Sequence, residues 1–158
     1  MIQGLHHAAY RCRNSEETRQ FYEDFLELNL AHALKIDTTV TGRDAAVLHT
    51  FYEMGDGSFM AFFEEPGAPF EFKDQRDFDL HISLEVDAAT LARMFEKGKA
   101  AGIETRGVSD HGFIDSIYFR DPNGYVIELS AKTGGPAADQ SAKAREMLAD
   151  WTAARAAS

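Results

Sequence analysis

The chain has 158 residues, of which 44% are hydrophobic and 27% are charged, a balance that is ordinary for a globular protein. Its formal net charge of −10 argues against nucleic acid and against an anionic membrane surface as partners, because both attract basic patches. Cys12 is the single cysteine and excludes an internal disulfide, which fits a reducing compartment. No signal peptide and no run near the ~20 apolar residues of a membrane span are visible, so we expect a cytoplasmic protein.

The first part of the chain predicts a strand, a helix and further strands. Residues 5–12 alternate in the manner of a half-buried strand, and Ser15 is placed to cap a helix whose apolar residues recur at helical spacing. Two more strands are predicted at residues 47–52 and 59–63, on either side of a glycine-containing turn. Residues 66–79 are polar, contain two prolines and suit a linker.

The same order of elements recurs after the linker. Strands are predicted at residues 80–86, 114–119 and 125–129, and a helix over residues 88–101 ends at Gly102. This internal repeat predicts an α+β fold of two tandem βαβββ modules, which form a curved mixed sheet around one metal-binding cleft, plus a C-terminal helix. The predicted boundaries are 1–65 for the first module, 66–79 for the linker, 80–132 for the second module and 133–158 for the helical tail.

Three side chains from different predicted strands have the chemistry of a metal site. His7 and His81 occupy equivalent positions in the two modules, and Glu128 lies four residues after Gly124 in the last strand. Strand alternation directs all three away from the helix-packed side and into the predicted cleft. Taken singly, each is typical of an exposed or hydrogen-bonded strand residue. Together they match the two-histidine, one-carboxylate set that holds a divalent metal and leaves positions open for substrate.

The position that corresponds to Glu128 in the first module is Ala61, which cannot bind a metal. The sequence therefore favours three protein ligands with open coordination positions over a symmetric site with four ligands. His6 is the neighbouring alternative to His7 as a metal ligand. Because adjacent residues of a strand point to opposite faces, His6 is expected to point toward the helix-packed side.

The chain resembles the vicinal oxygen chelate superfamily, which includes glyoxalases, fosfomycin-resistance transferases, bleomycin-binding proteins and extradiol dioxygenases. The resemblance spans about residues 2–131 and rests on three marks: His7 followed by an alternating strand, the Phe21-Tyr22 pair, and the segment DPNGYVIEL. The chain departs from the family at two positions: many members carry an aspartate where this chain has Asn14, and a glycine where it has Glu27.

Within that superfamily, residues 111–128 resemble the extradiol dioxygenase signature. This resemblance implies that His111 is an acid–base group and that Tyr118 hydrogen-bonds the metal-bound substrate oxygen. It implies Fe(II) as the cofactor, with Mn(II), Ni(II) or Zn(II) as alternatives. The predicted activity is cleavage of a catechol-like ring by a metal-dependent oxidoreductase, with Phe59 and Phe63 lining the substrate cleft.

Several alternatives stay open at this point. Ordinary core packing explains Phe59 and Phe63 as well as a substrate-binding role does. The extra active-site histidine of two-domain ring-cleaving enzymes has no counterpart at residues 56–58, and His49 is a distant substitute. The competing functions are a glyoxalase-like lyase or isomerase, a fosfomycin-type transferase, and a metal-free drug-binding protein.

The last predicted element is an alanine-rich helix over residues 140–156. Its apolar stripe consists of Ala144, Met147, Leu148 and Trp151. Such a helix needs a surface to cover, either on its own module or on a second subunit; the alternative is a frayed appendage. We expect a homodimer that acts on a small-molecule substrate.

Overall fold

The computed structural model describes residues 1–134 and 140–156, and eight strands and three helical elements occur within them. In chain order they are β1 (His7–Arg11), α1 (Ser15–Arg19) with a π-helical continuation (Gln20–Phe25), β2 (Asn29–Thr38), β3 (Asp44–Glu53), β4 (Phe59–Glu64), β5 (His81–Glu85), α2 (Ala88–Ala100), β6 (Thr105–Asp110), β7 (Ile114–Arg120), β8 (Val126–Lys132) and α3 (Ser141–Ala156). None of the helices in these ranges combines the length and the apolar character needed to cross a bilayer.

Each module forms its own four-stranded mixed sheet. The strand order is β1-β4-β3-β2 in the first sheet and β5-β8-β7-β6 in the second. In both sheets the first strand is parallel to its neighbour and the other pairs are antiparallel. The predicted tandem βαβββ modules and the C-terminal helix are therefore confirmed. The two modules of one chain do not share a single curved sheet, because β1 and β5 are outer strands of separate sheets.

The first helix is capped one residue earlier than the sequence predicts. Asn14 rather than Ser15 is the N-cap, and its side-chain oxygen accepts hydrogen bonds from the backbone N–H groups of Glu16 and Glu17 at 2.8 and 3.0 Å. Two of the N–H groups that a helix leaves unpaired at its start are satisfied in this way.

A contact between the modules forms just after this helix. Glu27 has a φ of 67°, in the left-handed region that glycine adopts most readily. Its carboxylate accepts hydrogen bonds from Arg93 at 2.7 Å and from Lys97 at 2.8 Å, both on α2 of the second module. These two cations lower the pKa of the Glu27 carboxyl to about 2, with the Arg93 hydrogen bond as the larger cause.

One aromatic layer joins the inner faces of both sheets. The buried Tyr22 ring packs on Phe62 of the first sheet at a centroid distance of 4.6 Å, and Phe25 meets Phe119 of the second sheet edge to face at 5.1 Å. The Tyr22 hydroxyl also donates to the Asp121 carboxylate at 3.0 Å, and burial raises the pKa of that carboxyl. Because the inner faces enclose a shared layer, the outer faces of the two sheets point in different directions.

The C-terminal helix α3 is exposed along its length. Met147, Leu148 and Trp151 of its predicted apolar stripe are 64%, 66% and 64% exposed, so this stripe is uncovered in a single chain. Residues 135–139 and 157–158 of the predicted tail lie outside the described residues.

Candidate metal centre

Glu128 is a buried carboxylate on the outer face of the second sheet. It lies on β8, between β5 and β7, and its exposed fraction is 5%. Its Oε2 is 3.2 Å from Nε2 of His81, and its Oε1 accepts a hydrogen bond from the Ser130 hydroxyl at 3.0 Å. The sheet thus brings together two of the three predicted metal ligands.

The hydrogen bond on the other side of the His81 ring sets its tautomer. Nδ1 lies 2.6 Å from the backbone carbonyl oxygen of Asp77, which can only accept, so Nδ1 carries a proton. In the neutral ring, Nε2 then presents a lone pair to the Glu128 carboxylate. Two acceptors face each other, an arrangement that a bound cation or an added proton must bridge. Histidines that bind metals characteristically donate their second N–H to a backbone carbonyl in this way.

A cavity of about 610 Å³ opens over this pair. Its polar lining includes Arg106, His111 and Tyr118 besides His81 and Glu128. Its apolar lining includes Phe78, Phe113 and Ile114. Both the volume and the mixture of a few polar groups with apolar walls are typical of small-molecule sites.

The predicted pair His111 and Tyr118 comes together inside this cavity. The Tyr118 hydroxyl and His111 Nε2 share a hydrogen bond of 3.0 Å. Burial, and then the negative charge of Glu128, raise the pKa of the Tyr118 hydroxyl, so this phenol is protonated at neutral pH. A protonated phenol can donate to a developing oxyanion, and a neighbouring imidazole can exchange protons with it.

Arg106 is a candidate that the sequence pattern does not single out. Its guanidinium lies 5.2 Å from the centroid of the Tyr118 ring and donates to both carboxylate oxygens of Asp77 at 2.9 and 2.8 Å. Asp77 also supplies the carbonyl that orients His81. Arg106 therefore fixes the position of Asp77 beside the cavity, and its own charge is balanced by Asp77 and by Glu104 at 3.5 Å.

His7 lies on the other sheet, away from this cluster. Its Nδ1 is 2.8 Å from Nδ1 of His6, and its ring centroid is 5.9 Å from that of Phe51. Within the described residues of one chain, no group of three His, Cys, Asp or Glu side chains is placed to hold a metal ion. One chain therefore does not gather His7 with His81 and Glu128, because the outer faces of its sheets diverge.

The outer face of the first sheet is aromatic. Phe59 and Phe63 lie on it next to Phe51, whose ring meets that of Phe59 edge to face at 6.0 Å. His49 belongs to the same face and stacks on Phe63 with centroids 3.6 Å apart and an interplanar angle of 12°. The sequence could have placed His49 on this face, because it lies two residues from Phe51 in the predicted strand over 47–52 and so points to the same side. The substrate-binding role of Phe59 and Phe63 stays a prediction.

Comparison with known proteins agrees with this architecture. The family model of the Glyoxalase/Bleomycin resistance protein/Dioxygenase superfamily matches residues 4–129. The chain belongs to this superfamily. The resemblance inferred from the sequence is thus confirmed for the superfamily as a whole.

Individual relatives of the superfamily cover most of the chain. Metallothiol transferase FosB of Shouchella clausii (strain KSM-K16) is 26% identical over 139 residues, which are 84% of this chain and 83% of that protein. The fosfomycin resistance protein FosX from Listeria monocytogenes, in complex with Mn(II) and sulfate, has a TM-score of 0.63 at 21% identity and covers 84% of this chain and 95% of its own. A glyoxalase/dioxygenase from Nostoc punctiforme has a TM-score of 0.63 at 22% identity, with coverages of 84% and 92%. At such identities the two structures establish the shared fold.

Proposed function

We propose that this protein is a divalent-metal enzyme of the fosfomycin-resistance type, which adds a nucleophile to the epoxide of a phosphonate. The observation that carries the proposal is the pair of facing acceptors, His81 Nε2 and Glu128 Oε2, at 3.2 Å. A relative named as a metallothiol transferase and a fosfomycin resistance protein in complex with Mn(II) support this reaction and this class of metal. The ring-cleaving dioxygenase expected from the sequence becomes the second candidate.

In this proposal a second copy of the chain completes the metal site. His81 and Glu128 supply two ligands from the second sheet of one copy, and His7 supplies the third from the first sheet of the other. The diverging outer faces within one chain support this division. The position of β1 and β5 as outer strands of their sheets, within residues 1–134 and 140–156, also supports a site divided between two copies. A twofold dimer of this kind contains two identical sites.

The remaining roles fall to side chains of the cavity. A divalent cation held by these ligands supplies Lewis acidity toward the epoxide oxygen. Arg106 holds Asp77 by hydrogen bonds of 2.9 and 2.8 Å, and the Asp77 carbonyl orients the His81 ring. Tyr118 is protonated at neutral pH and donates to the oxygen on which charge develops. His111 orients the Tyr118 hydroxyl through their 3.0 Å hydrogen bond.

The second candidate is Fe(II)-dependent cleavage of a catechol-like ring. The aromatic outer face of the first sheet favours it, because Phe51, Phe59 and Phe63 together offer more apolar surface than a small phosphonate needs. The adjacent His111 and Tyr118 are also the acid–base pair that this reaction requires by resemblance.

Parallel assays separate the two candidates. Protein purified without air and loaded with Mn(II) is incubated with fosfomycin and water, cysteine or glutathione, and epoxide opening is followed by phosphorus NMR. Protein loaded with Fe(II) is mixed with a panel of catechols and oxygen, and ring fission is followed by the absorbance of its yellow products. Epoxide opening supports the first candidate. Ring fission without epoxide opening establishes the second, and silence in both assays contradicts both.

A further inference from the structure

His49 is a buried histidine to which the roles above assign no function. Its exposed fraction is 7%, and its ring centroid is 4.1 Å from that of Phe51 and 3.6 Å from that of Phe63. Its Nδ1 is 3.0 Å from the backbone carbonyl oxygen of Phe62, which can only accept, so Nδ1 carries a proton. In the neutral ring the lone pair therefore lies on Nε2.

The surroundings of His49 keep this lone pair available. Burial lowers the pKa of the His49 imidazole below its ordinary value, so the ring is neutral at pH 7. Among the hydrogen bonds within the described ranges, the one from His49 uses Nδ1 and none engages Nε2. A buried, neutral imidazole with an open nitrogen is suited to receive a proton from a bound molecule.

One aromatic ring links His49 to His7, the predicted metal ligand of its sheet. The Phe51 ring contacts both imidazoles, with centroids 4.1 Å from His49 and 5.9 Å from His7. Of the other charges on this face, Arg11 is already paired with Glu65 at 3.1 Å. The ionisable side chains on the face include His7, Arg11, His32 and Glu53, and Glu65 with its second partner Arg43 lies at the end of it.

We propose that His49 is the general base that activates the nucleophile, a role that rests on the proposed function of this site. Water or a thiol gives its proton to Nε2 of His49 while its lone pair forms the new bond to an epoxide carbon. The carbon–oxygen bond breaks, its electron pair stays on the oxygen, and that oxygen takes a proton from Tyr118 of the second copy. Exchange with solvent then removes the proton from His49 and restores the one on Tyr118.

The protonation state of His49 can be measured without turnover. In metal-free protein labelled with ¹⁵N-histidine, we expect ring-nitrogen NMR to place the proton on Nδ1 and to give a pKa below about 6.5. His49→Asn assigns the signal, because it removes this ring. A proton on Nε2 would overturn the proposal whatever the activity of the enzyme.

The same variant tests the catalytic role. Asparagine can still donate to the Phe62 carbonyl but has no basic nitrogen. In Mn(II)-loaded enzyme, kcat should fall by about 10²–10⁴-fold, the usual contribution of a general base, while the Mn(II) dissociation constant changes by less than about threefold. The matched control is His32→Asn, because the His32 ring also contacts Phe51 on this face, at 5.9 Å. This control variant should keep the kcat of the wild type.

The pH dependence identifies the nucleophile. With a thiol, the kcat defect of His49→Asn should shrink as pH rises past about 8.5, where thiols ionise without help. With water as the nucleophile, the defect should persist. Addition of imidazole to His49→Ala should restore part of the turnover, which a purely structural role would not allow.

Two negative results have different meanings. A wild-type protein that opens no epoxide contradicts the proposed function, and the general-base role with it. An active wild type whose His49→Asn variant keeps kcat within about threefold contradicts only the role of His49, since a general base contributes far more.

Discussion

The two modules share one strand order but carry unlike outer faces. On the second sheet, the outer face holds the His81–Glu128 pair and a polar cavity. On the first sheet, the position equivalent to Glu128 is Ala61, and the face is covered by aromatic rings such as those of Phe51 and Phe63. The two modules thus repeat one backbone arrangement but differ in the side chains of the outer face, which are polar and charged on the second sheet and largely apolar on the first.

The cost of burying a charge explains this division. The Glu128 carboxylate is stable inside a sheet only with donors or a cation beside it. The Ser130 hydroxyl donates to it, and His81 Nε2 is placed to share a bound cation or an added proton with it. Ala61 carries no such cost, so its neighbours are free to be aromatic. Among the residues that the structure describes, neither face by itself offers three metal ligands, and this is why we propose a site shared between two copies.

The largest expected effect concerns the charged face. Glu128→Gln keeps the shape of the side chain and removes its charge. We expect Mn(II) to bind at least about 100-fold more weakly, since even outer partners of metal ligands contribute 10–100-fold. Titration calorimetry measures this affinity. Glu85→Gln is the matched control, because Glu85 is an exposed glutamate of β5 paired with Lys132 at 2.8 Å; it should bind as the wild type does. Equal affinities in both variants would place the metal elsewhere.

Mixing of inactive variants tests whether the unlike faces meet across two copies. His7→Ala and Glu128→Ala should each lose the metal site as homodimers. A mixed dimer retains one intact site, so random exchange of equal amounts should restore about a quarter of the wild-type sites. Mn(II) stoichiometry after coexpression provides the count. Mixtures of His81→Ala with Glu128→Ala should restore none, because both changes affect the same face. No recovery in the first mixture would contradict the shared site.

A smaller effect concerns the apolar face and its buried histidine. Burial holds the folded-state pKa of His49 below the unfolded value of about 6.5, so the unfolded chain binds more protons as pH falls. The contribution of neutral His49 to the free energy of unfolding is present above about pH 6.5 and is lost as pH falls through the pKa of His49 in the folded protein. His49→Phe should therefore lose less stability than the wild type between pH 7 and pH 5, as measured by urea unfolding. Identical pH slopes would show that another group is responsible.

The smallest expected effect lies between the modules, at Glu27. Its stabilising contribution is present above about pH 4.5 and is lost as pH falls toward its folded pKa of about 2. Glu27→Gln should lower the free energy of unfolding at pH 7 by about 1 kcal/mol or less, because solvent screens a carboxylate that is 45% exposed. Glu27→Gly removes the same charge but relieves the φ of 67°, so it should cost less than glutamine does. A Glu27→Gln deficit that persists unchanged at pH 2 would contradict the ion-pair account.

Several local predictions from the sequence depended on patterns of differing strength. The predicted strands include neither β2 (Asn29–Thr38) nor β6 (Thr105–Asp110). An alternating apolar signal was present for β2, whereas β6 has Val108 as its one apolar residue and offers no such pattern. Ser15 and Asn14 are both good helix caps, and the backbone entering the helix selects Asn14. Arg106 escaped prediction because it lies in β6 and acts through partners distant in the sequence.

The sequence by itself determined the superfamily, the repeated modules and which side chains share an outer face, because strand alternation is a local property of the chain. It placed His81 with Glu128 on one such face, and the structure brings them within 3.2 Å. Only the tertiary structure decided how the outer faces of the two sheets are oriented relative to each other. That choice depends on long-range packing of the aromatic layer, in which Phe25 from the first module lies on Phe119 of the second. As a result, His7 is directed away from the carboxylate of its own chain.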